Sequence, residues 1–325
     1  MKPAAWLWFV LPAMLAVGAL PPPAVHAQVP ARSYWKTLSG ANAVPLIFES
    51  MSGNTNPFDP SFTVNPESNV GATMAIVGYL RAIPLFGRAA TAAVLVPVGH
   101  ISGDLKVANA MVTETARGFG DPTIELCINV LGPPAQVNLV DVLRYEPGFS
   151  VDLIGDLAIP IGEYDNTRHV NLGQNRWYGR LGAPVVWQLG PWVPGRRTTL
   201  EFLPGVWFFG ANDDYVGTTL ETDPMFQLDV HLTQDFTERI WGALDGAWYK
   251  GGKATIDTTE GAALNNLAVG FTLGYQINEN LSLTFGYKST IKDSDPGALQ
   301  LDGFVVSLVA GWHSLIEGAR RLEKE

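Results

Sequence analysis

His100, Ser102 and Asp104 fall two residues apart, and histidine, serine and aspartate are the parts of a hydrolytic triad. On a strand, residues two apart stand roughly 6.5–7 Å from each other. That is beyond a direct nucleophile–base hydrogen bond, so the three are expected to be a polar strand end meeting water. The chain has no G-x-S-x-G elbow, no H-x-x-x-H or H-E-x-x-H pair, and one cysteine, Cys127. Asp213 and Asp214 could meet Ca²⁺, but two adjacent carboxylates are the ordinary content of a solvated loop. The glycine-rich stretches lack the strand–helix setting of a phosphate loop. No catalytic residue, metal or cofactor is expected. The chemistry that remains is that of a lined path. Arg117, Asp121, Glu125, Asp152, Asp156, Arg176, Tyr178, Arg180, Glu201, Asp229, His231, Trp241 and Asp245 each occupy the polar phase of an alternating segment. With Phe119, Trp207, Phe209 and Tyr249 in the same phase, they could pair across a lumen or offer charge and stacking to a solute.

The elements that must position them are strands. Leu267–Ser289 is the clearest case: Leu267, Val269, Phe271, Leu273 and Tyr275 oppose Ala268, Gly270, Thr272 and Gly274, and after Asn278-Glu279-Asn280 the alternation resumes through Leu281, Leu283, Phe285 and Tyr287. Period two with an Asn-rich break predicts a β-hairpin. The same reading gives about twelve strands: 43–48, 71–80, 90–104, 117–128, 149–161, 176–187, 198–208, 226–235, 240–249, 267–275, 281–287 and 302–312. A short helical turn is expected at 139–144. Trp177, Trp187, Phe202, Phe208, Phe226 and Trp248 stand opposite the charged phase. A sandwich would need an equally large partner face to bury them, whereas lipid covers them directly.

The connections are sorted by length. Residues 49–69, 104–115, 162–175, 210–222, 251–266 and 289–301 are long and polar. Those at 81–88, 190–197, 236–239 and 278–280 are short, and only 132–147 departs. Long loops at one end and tight turns at the other are the asymmetry of an outer-membrane barrel, which a sandwich has no reason to show.

Composition agrees. Net charge is −10 without a basic stripe, which argues against nucleic acid. Met1-Lys2, an apolar run from Ala4 to Leu20, and Val25-His26-Ala27 have the form of a signal peptide, with cleavage expected near Ala27. No later apolar run is long enough for a membrane helix. The chain therefore divides into a signal peptide (1–27), an N-terminal segment with a possible first strand and plug (28–69), a barrel (70–314) and a C-terminal tail (315–325).

Four stretches resemble the MetA-pathway of phenol degradation family of outer-membrane transporters: GYLRAIPLFGRAATAAVLVPVGHISGDL (78–105), FGDPTIELCINVLG (119–132), DLAIPIGEYD (156–165) and the closing strand. The resemblance spans about 69–312 and carries no catalytic motif. It implies a β-barrel that passes small, aromatic or hydrophobic solutes, with membrane lipid and the barrel-assembly machinery as partners. The chain does not end on an aromatic residue; SLIEGARRLEKE (314–325) is expected to form a short helical tail. The expectation is an all-β, antiparallel transmembrane barrel of the outer membrane that passes solutes passively and is not an enzyme. The alternatives are a structural or adhesive barrel with a closed lumen, a soluble secreted β-sandwich, and, on the His100–Ser102 pair, an outer-membrane hydrolase.

Overall fold

The computed structural model describes residues 30–107, 110–291, 295 and 297–315. The expected signal peptide with its cleavage site, and the tail beyond residue 315, lie outside the described residues. The strands are β1 (Asn42–Gly53), β2 (Asn69–Leu85), β3 (Arg88–Val107), β4 (Ala110–Phe119), β5 (Thr123–Leu131), β6 (Phe149–Ala158), β7 (Tyr178–Gly182), β8 (Val185–Gln188), β9 (Thr198–Phe209), β10 (Asn212–Tyr215), β11 (Thr218–Thr222), β12 (Met225–Asp235), β13 (Ile240–Gly251), β14 (Ala254–Ile256), β15 (Thr259–Glu260), β16 (Leu264–Asn278), β17 (Leu281–Thr290) and β18 (Leu301–Trp312). One helix, α1 (Leu139–Arg144), lies between β5 and β6 and opens on an Asn138/Asp141 capping box.

Fourteen strands form one antiparallel sheet. Two pairs lie end to end, β4 with β5 and β7 with β8, so the wall has twelve strand positions. It closes on itself. β1 joins β18 from Asn42↔Trp312 to Gly53↔Leu301, and on the opposite side β9 joins β12. The strand placed in the N-terminal segment by the sequence is thus a full member of the wall. Closure removes the sheet edges, which lipid cannot hydrate. It also disposes of the sandwich alternative.

The outer face is a belt of apolar side chains. Leu181, Leu244 and Val269 are 63%, 69% and 54% exposed, whereas Asp229 on the inner face is fully buried. Outward aromatics pair near both rims: Tyr79–Trp312 and Phe149–Trp187 toward the short turns, Phe226–Trp248 and Tyr287–Phe304 toward the long loops. These are the interface girdles of a transmembrane barrel.

The two broken strand positions behave differently. Pro184 interrupts β7–β8 because it has no N–H for the ladder, yet the register on β6 is kept and the phase survives. At β4–β5 it is not kept. The eight steps from Ala90 to Val98 on β3 are matched by nine from Ile128 back to Phe119.

Two expected loops turn out to be ordered. Residues 212–222 and 254–260 supply β10, β11, β14 and β15, a four-stranded sheet of its own. The polar connection expected at 104–115 is mostly ladder, with β3 running on to Val107 and β4 starting at Ala110.

Candidate permeation path and outer-mouth cavity

Alternation sends Glu125, Asp152, Asp156, Tyr178, Arg180, Glu201, Asp229, His231 and Asp245 inward, where all are buried, together with the half-buried Trp241. They are paired. Arg180 Nε and Nη2 both donate to Asp156 Oδ2 at 2.7 Å, and its guanidinium lies 5.2 Å over Trp207. Lys288 reaches Asp229 at 3.2 Å, and Asp229 also accepts from Gln227 at 2.6 Å. His231 Nδ1 meets Asp245 at 2.6 Å, and Thr272 donates to the same carboxylate. Charges desolvated to this degree need such partners. Glu49 Oε2, Ser307 Oγ and His231 Nε2 are buried polar atoms with no hydrogen-bond partner among the described residues.

The opposite wall is apolar. Ile47, Met51, Met74, Ile76, Leu80, Leu95, Ile101 and Leu105, from β1 to β3, all point inward. The interior is therefore two-sided, greasy along β1–β3 and ion-paired from β5 round to β17.

Arg117 is a correction. It lies on the exposed outer face of β4, opposite His100, and Phe119 beside it is exposed as well. The extra residue between β4 and β5 is the reason, since a one-residue slip moves every side chain to the other face. On β4 the inward phase belongs to Glu114, Ala116 and Gly118. The slip falls at Phe119-Gly120-Asp121-Pro122. Asp121 is buried there and accepts N–H bonds from Gly162 at 2.9 Å and Gln174 at 2.8 Å. It staples the 162–175 loop to the wall instead of facing an open lumen. A Cβ on Gly162 would stand 2.7 Å from the Gly120 carbonyl carbon, so the close approach requires glycine. The FGDP and P-x-G motifs meet at this one contact.

Two segments outside the wall enter the barrel. Residues 30–41 cross its short-turn end. Arg32 donates to Asp235 at 2.7 Å and through its backbone N–H to Glu201 at 2.8 Å, and its guanidinium sits between Trp35 (4.2 Å) and Trp241 (4.3 Å). Trp35 Nε1 donates to Glu201 at 2.7 Å, and Lys36 pairs with Asp152. A space of only about 30 Å³ separates Pro30 from Asp245, Thr272, Lys288 and Ser307. Residues 54–66 fold into the opposite mouth and bury Phe58 and Phe62. Asp59 takes Arg176 Nη2 at 2.9 Å, and Arg176 also donates to Thr222 and Ser61. The sequence singled out Arg176 but not its partner. Arg32, Trp35, Lys36 and Asp59 sit in segments without alternation, so parity could not reach them.

Between residues 55–66, the 162–175 loop and the β10–β11–β14 sheet lies a cavity of about 270 Å³. Tyr164, His169 and Tyr215 line it. His169 Nδ1 stands 2.9 Å from Glu114 Oε1. Burial pushes the phenols of Tyr164 and Tyr215 above their usual range, so both keep their protons. His100, Ser102 and Asp104 lie in a row on β3. No hydrogen bond joins them among the described residues, and Asp104 is engaged by Thr113 at 2.6 Å. Asp214 accepts from Asn166 at 2.7 Å. Among the described residues no three His, Cys, Asp or Glu side chains are grouped to hold a metal.

A closed wall of twelve antiparallel strands, an apolar belt between aromatic rims and an ion-paired interior define a transmembrane β-barrel with the outer-membrane channel fold. A profile of the MetA-pathway of phenol degradation family matches residues 52–308, and the chain belongs to that family. An outer membrane channel from Pseudomonas putida F1 superposes with a TM-score of 0.68 at 15% identity, covering 88% of this chain and all of that one. The beta domain of a Bordetella autotransporter gives 0.49 at 10%, covering 84% of this chain and all of that one. The transport unit of an Escherichia coli autotransporter gives 0.48 at 9%, covering 94% and 97%. The likeness to the Pseudomonas putida channel is one of fold. No curated protein matches.

Proposed function

We propose that the protein is an outer-membrane conduit through which small solutes, aromatic or hydrophobic ones among them, pass passively, without a covalent step or a cofactor. The observation that carries this is the two-sided interior. Ile47, Met51, Met74 and Ile76 give one wall an apolar lining, now buried in one cluster with Phe58 and Phe62 of the inserted segment, which suits an apolar ring once that segment yields, while the facing charged wall suits polar substituents and water. The family's description supplies the solute context. Membrane lipid covers the outer belt, and the barrel-assembly machinery is the partner such a wall requires. In this reading Asp152, Asp156, Arg180, Glu201, Asp229, His231, Trp241 and Asp245 shape the path, and residues 30–41 act as a constriction across its short-turn end. Glu49 and Ser307 offer the free polar groups along β1 and β18.

The test is single-channel conductance of the refolded protein in a planar bilayer, with and without phenol. Discrete steps that phenol partly blocks are expected. Silence from a folded barrel would overturn the conduit in favour of a second reading, a structural or adhesive barrel with a closed lumen. What favours that rival is the anchoring of residues 30–41 across the short-turn end through Arg32, Trp35 and Lys36.

A further inference from the structure

We propose that the outer-mouth cavity is a binding site for a monohydroxylated aromatic molecule, with His169 accepting its O–H and Glu114 as the positioning residue. This deepens the conduit reading and rests on it for the direction of traffic, though not for binding itself.

Glu114 faces inward on β4 because of the register slip. One of its oxygens meets His169 Nδ1 at 2.9 Å, and the other accepts the backbone N–H groups of His169 (2.7 Å) and Val170 (3.1 Å). An ionised carboxylate only accepts hydrogen bonds. Nδ1 must therefore carry the hydrogen, and in the neutral ring Nε2 keeps the lone pair. Among the described residues nothing donates to Nε2. Tyr215 packs edge-on against the imidazole, with centroids 6.1 Å apart and planes at 89°, which fixes the ring.

The rest of the lining sets the ligand class. Among the described residues its side-chain amides are engaged except that of Asn65, Asn56 binding the Asn171 carbonyl. Asn171 binds the carbonyls of Asp165 and Arg168, Asn212 binds Tyr164 and the Gln174 carbonyl, and Gln174 binds the Leu172 carbonyl. A polyhydroxylated solute would find few free partners. Val70, Leu105, Val170 and Leu220 provide apolar surface instead. A dry cavity of about 150 Å³ holds benzene, so about 270 Å³ admits a substituted ring. Asp59, Thr55 and Thr63 of the lining are already hydrogen-bonded, so among the described residues His169 Nε2 and the Asn65 amide are the open polar groups beside this apolar surface, which favours an aromatic body carrying one hydroxyl.

The experiment is ¹⁹F-NMR titration of the purified, folded barrel with 4-fluorophenol and with 4-fluorotoluene, which replaces the hydroxyl by a methyl. The folded barrel is expected to bind the phenol about three- to tenfold more tightly, the span of one hydrogen bond. His169→Phe should abolish that preference and leave 4-fluorotoluene unchanged. Glu114→Ala should lose it too, while Glu114→Gln, whose amide oxygen still accepts Nδ1–H, should keep it. Leu105→Trp, which fills the apolar wall without touching the histidine, should exclude both probes. Equal binding of the two probes, or a preference that survives in a folded His169→Phe barrel, overturns the site. Liposome flux is measured separately. Selective binding without flux keeps the site and removes the conduit, and flux with binding indifferent to His169 does the reverse.

Discussion

Buried ion pairs carry the interior at the scale of single residues. Arg180 and Asp156 are nearly out of reach of solvent, so removing one takes from the other its closest counter-charge. Asp156→Ala is expected to cost about 3–5 kcal/mol, read as a lower unfolding temperature in detergent. Lys106–Glu67 is equally short at 2.6 Å but exposed. Lys106→Ala should change stability by less than about 1 kcal/mol in the same assay. Which residues turn inward was legible because the side-chain period of a strand is two. What they touch was not. Asp235 finds Arg32 and Asp59 finds Arg176 across long stretches of chain, and no local pattern encodes that meeting.

Among the elements, facing is the testable quantity. Leu283 is on the lipid side of β17 and Thr284 on the inner side. Leu283→Arg should hinder folding into bilayers: a lipid-facing arginine costs about 2–4 kcal/mol at the midplane and less toward the short-turn rim, where Leu283 stands two residues into β17. Thr284→Arg should fold and alter conductance. Heat-dependent gel mobility and bilayer currents separate the two, and identical behaviour would refute the facing. The β4–β5 slip makes a second prediction. In a Cys127→Ala background, Arg117→Cys should react quickly with a bulky water-soluble maleimide and Glu125→Cys slowly, the reverse of what unbroken alternation requires of Arg117. Twelve strand positions and α1 could be read from the sequence because period and turn chemistry are local. The slip at FGDP could not, because an inserted residue becomes visible only against the register of β3. The short strands β10, β11, β14 and β15 were hidden for a related reason. Two to five residues carry too little alternation to register.

Taken whole, the molecule is a wall with two of its own segments inside. Residues 30–41 hold to the wall through Arg32, Trp35 and Lys36. The double variant Arg32→Ala/Trp35→Ala removes the side-chain contacts with Asp235 and Glu201, leaving the backbone N–H of residue 32 on Glu201 and Arg197 on Asp235, and should raise single-channel conductance without unfolding the barrel. An unchanged conductance would separate this segment from the path.

The β1–β18 seam adds a question of timing. It unites Asn42 with Trp312, partners 270 positions apart in the chain, and contacts so remote in sequence carry the largest loop-closure cost. The stretch ahead of β1 is tethered to one lip of that seam and comes to rest inside. Like a rolled sheet closed around its own leading edge, the cylinder gathers its contents as it zips. A wall that seals too early would shut residues 30–41 outside, so Arg32 and Lys36 must meet Asp235 and Asp152 before the seam is complete.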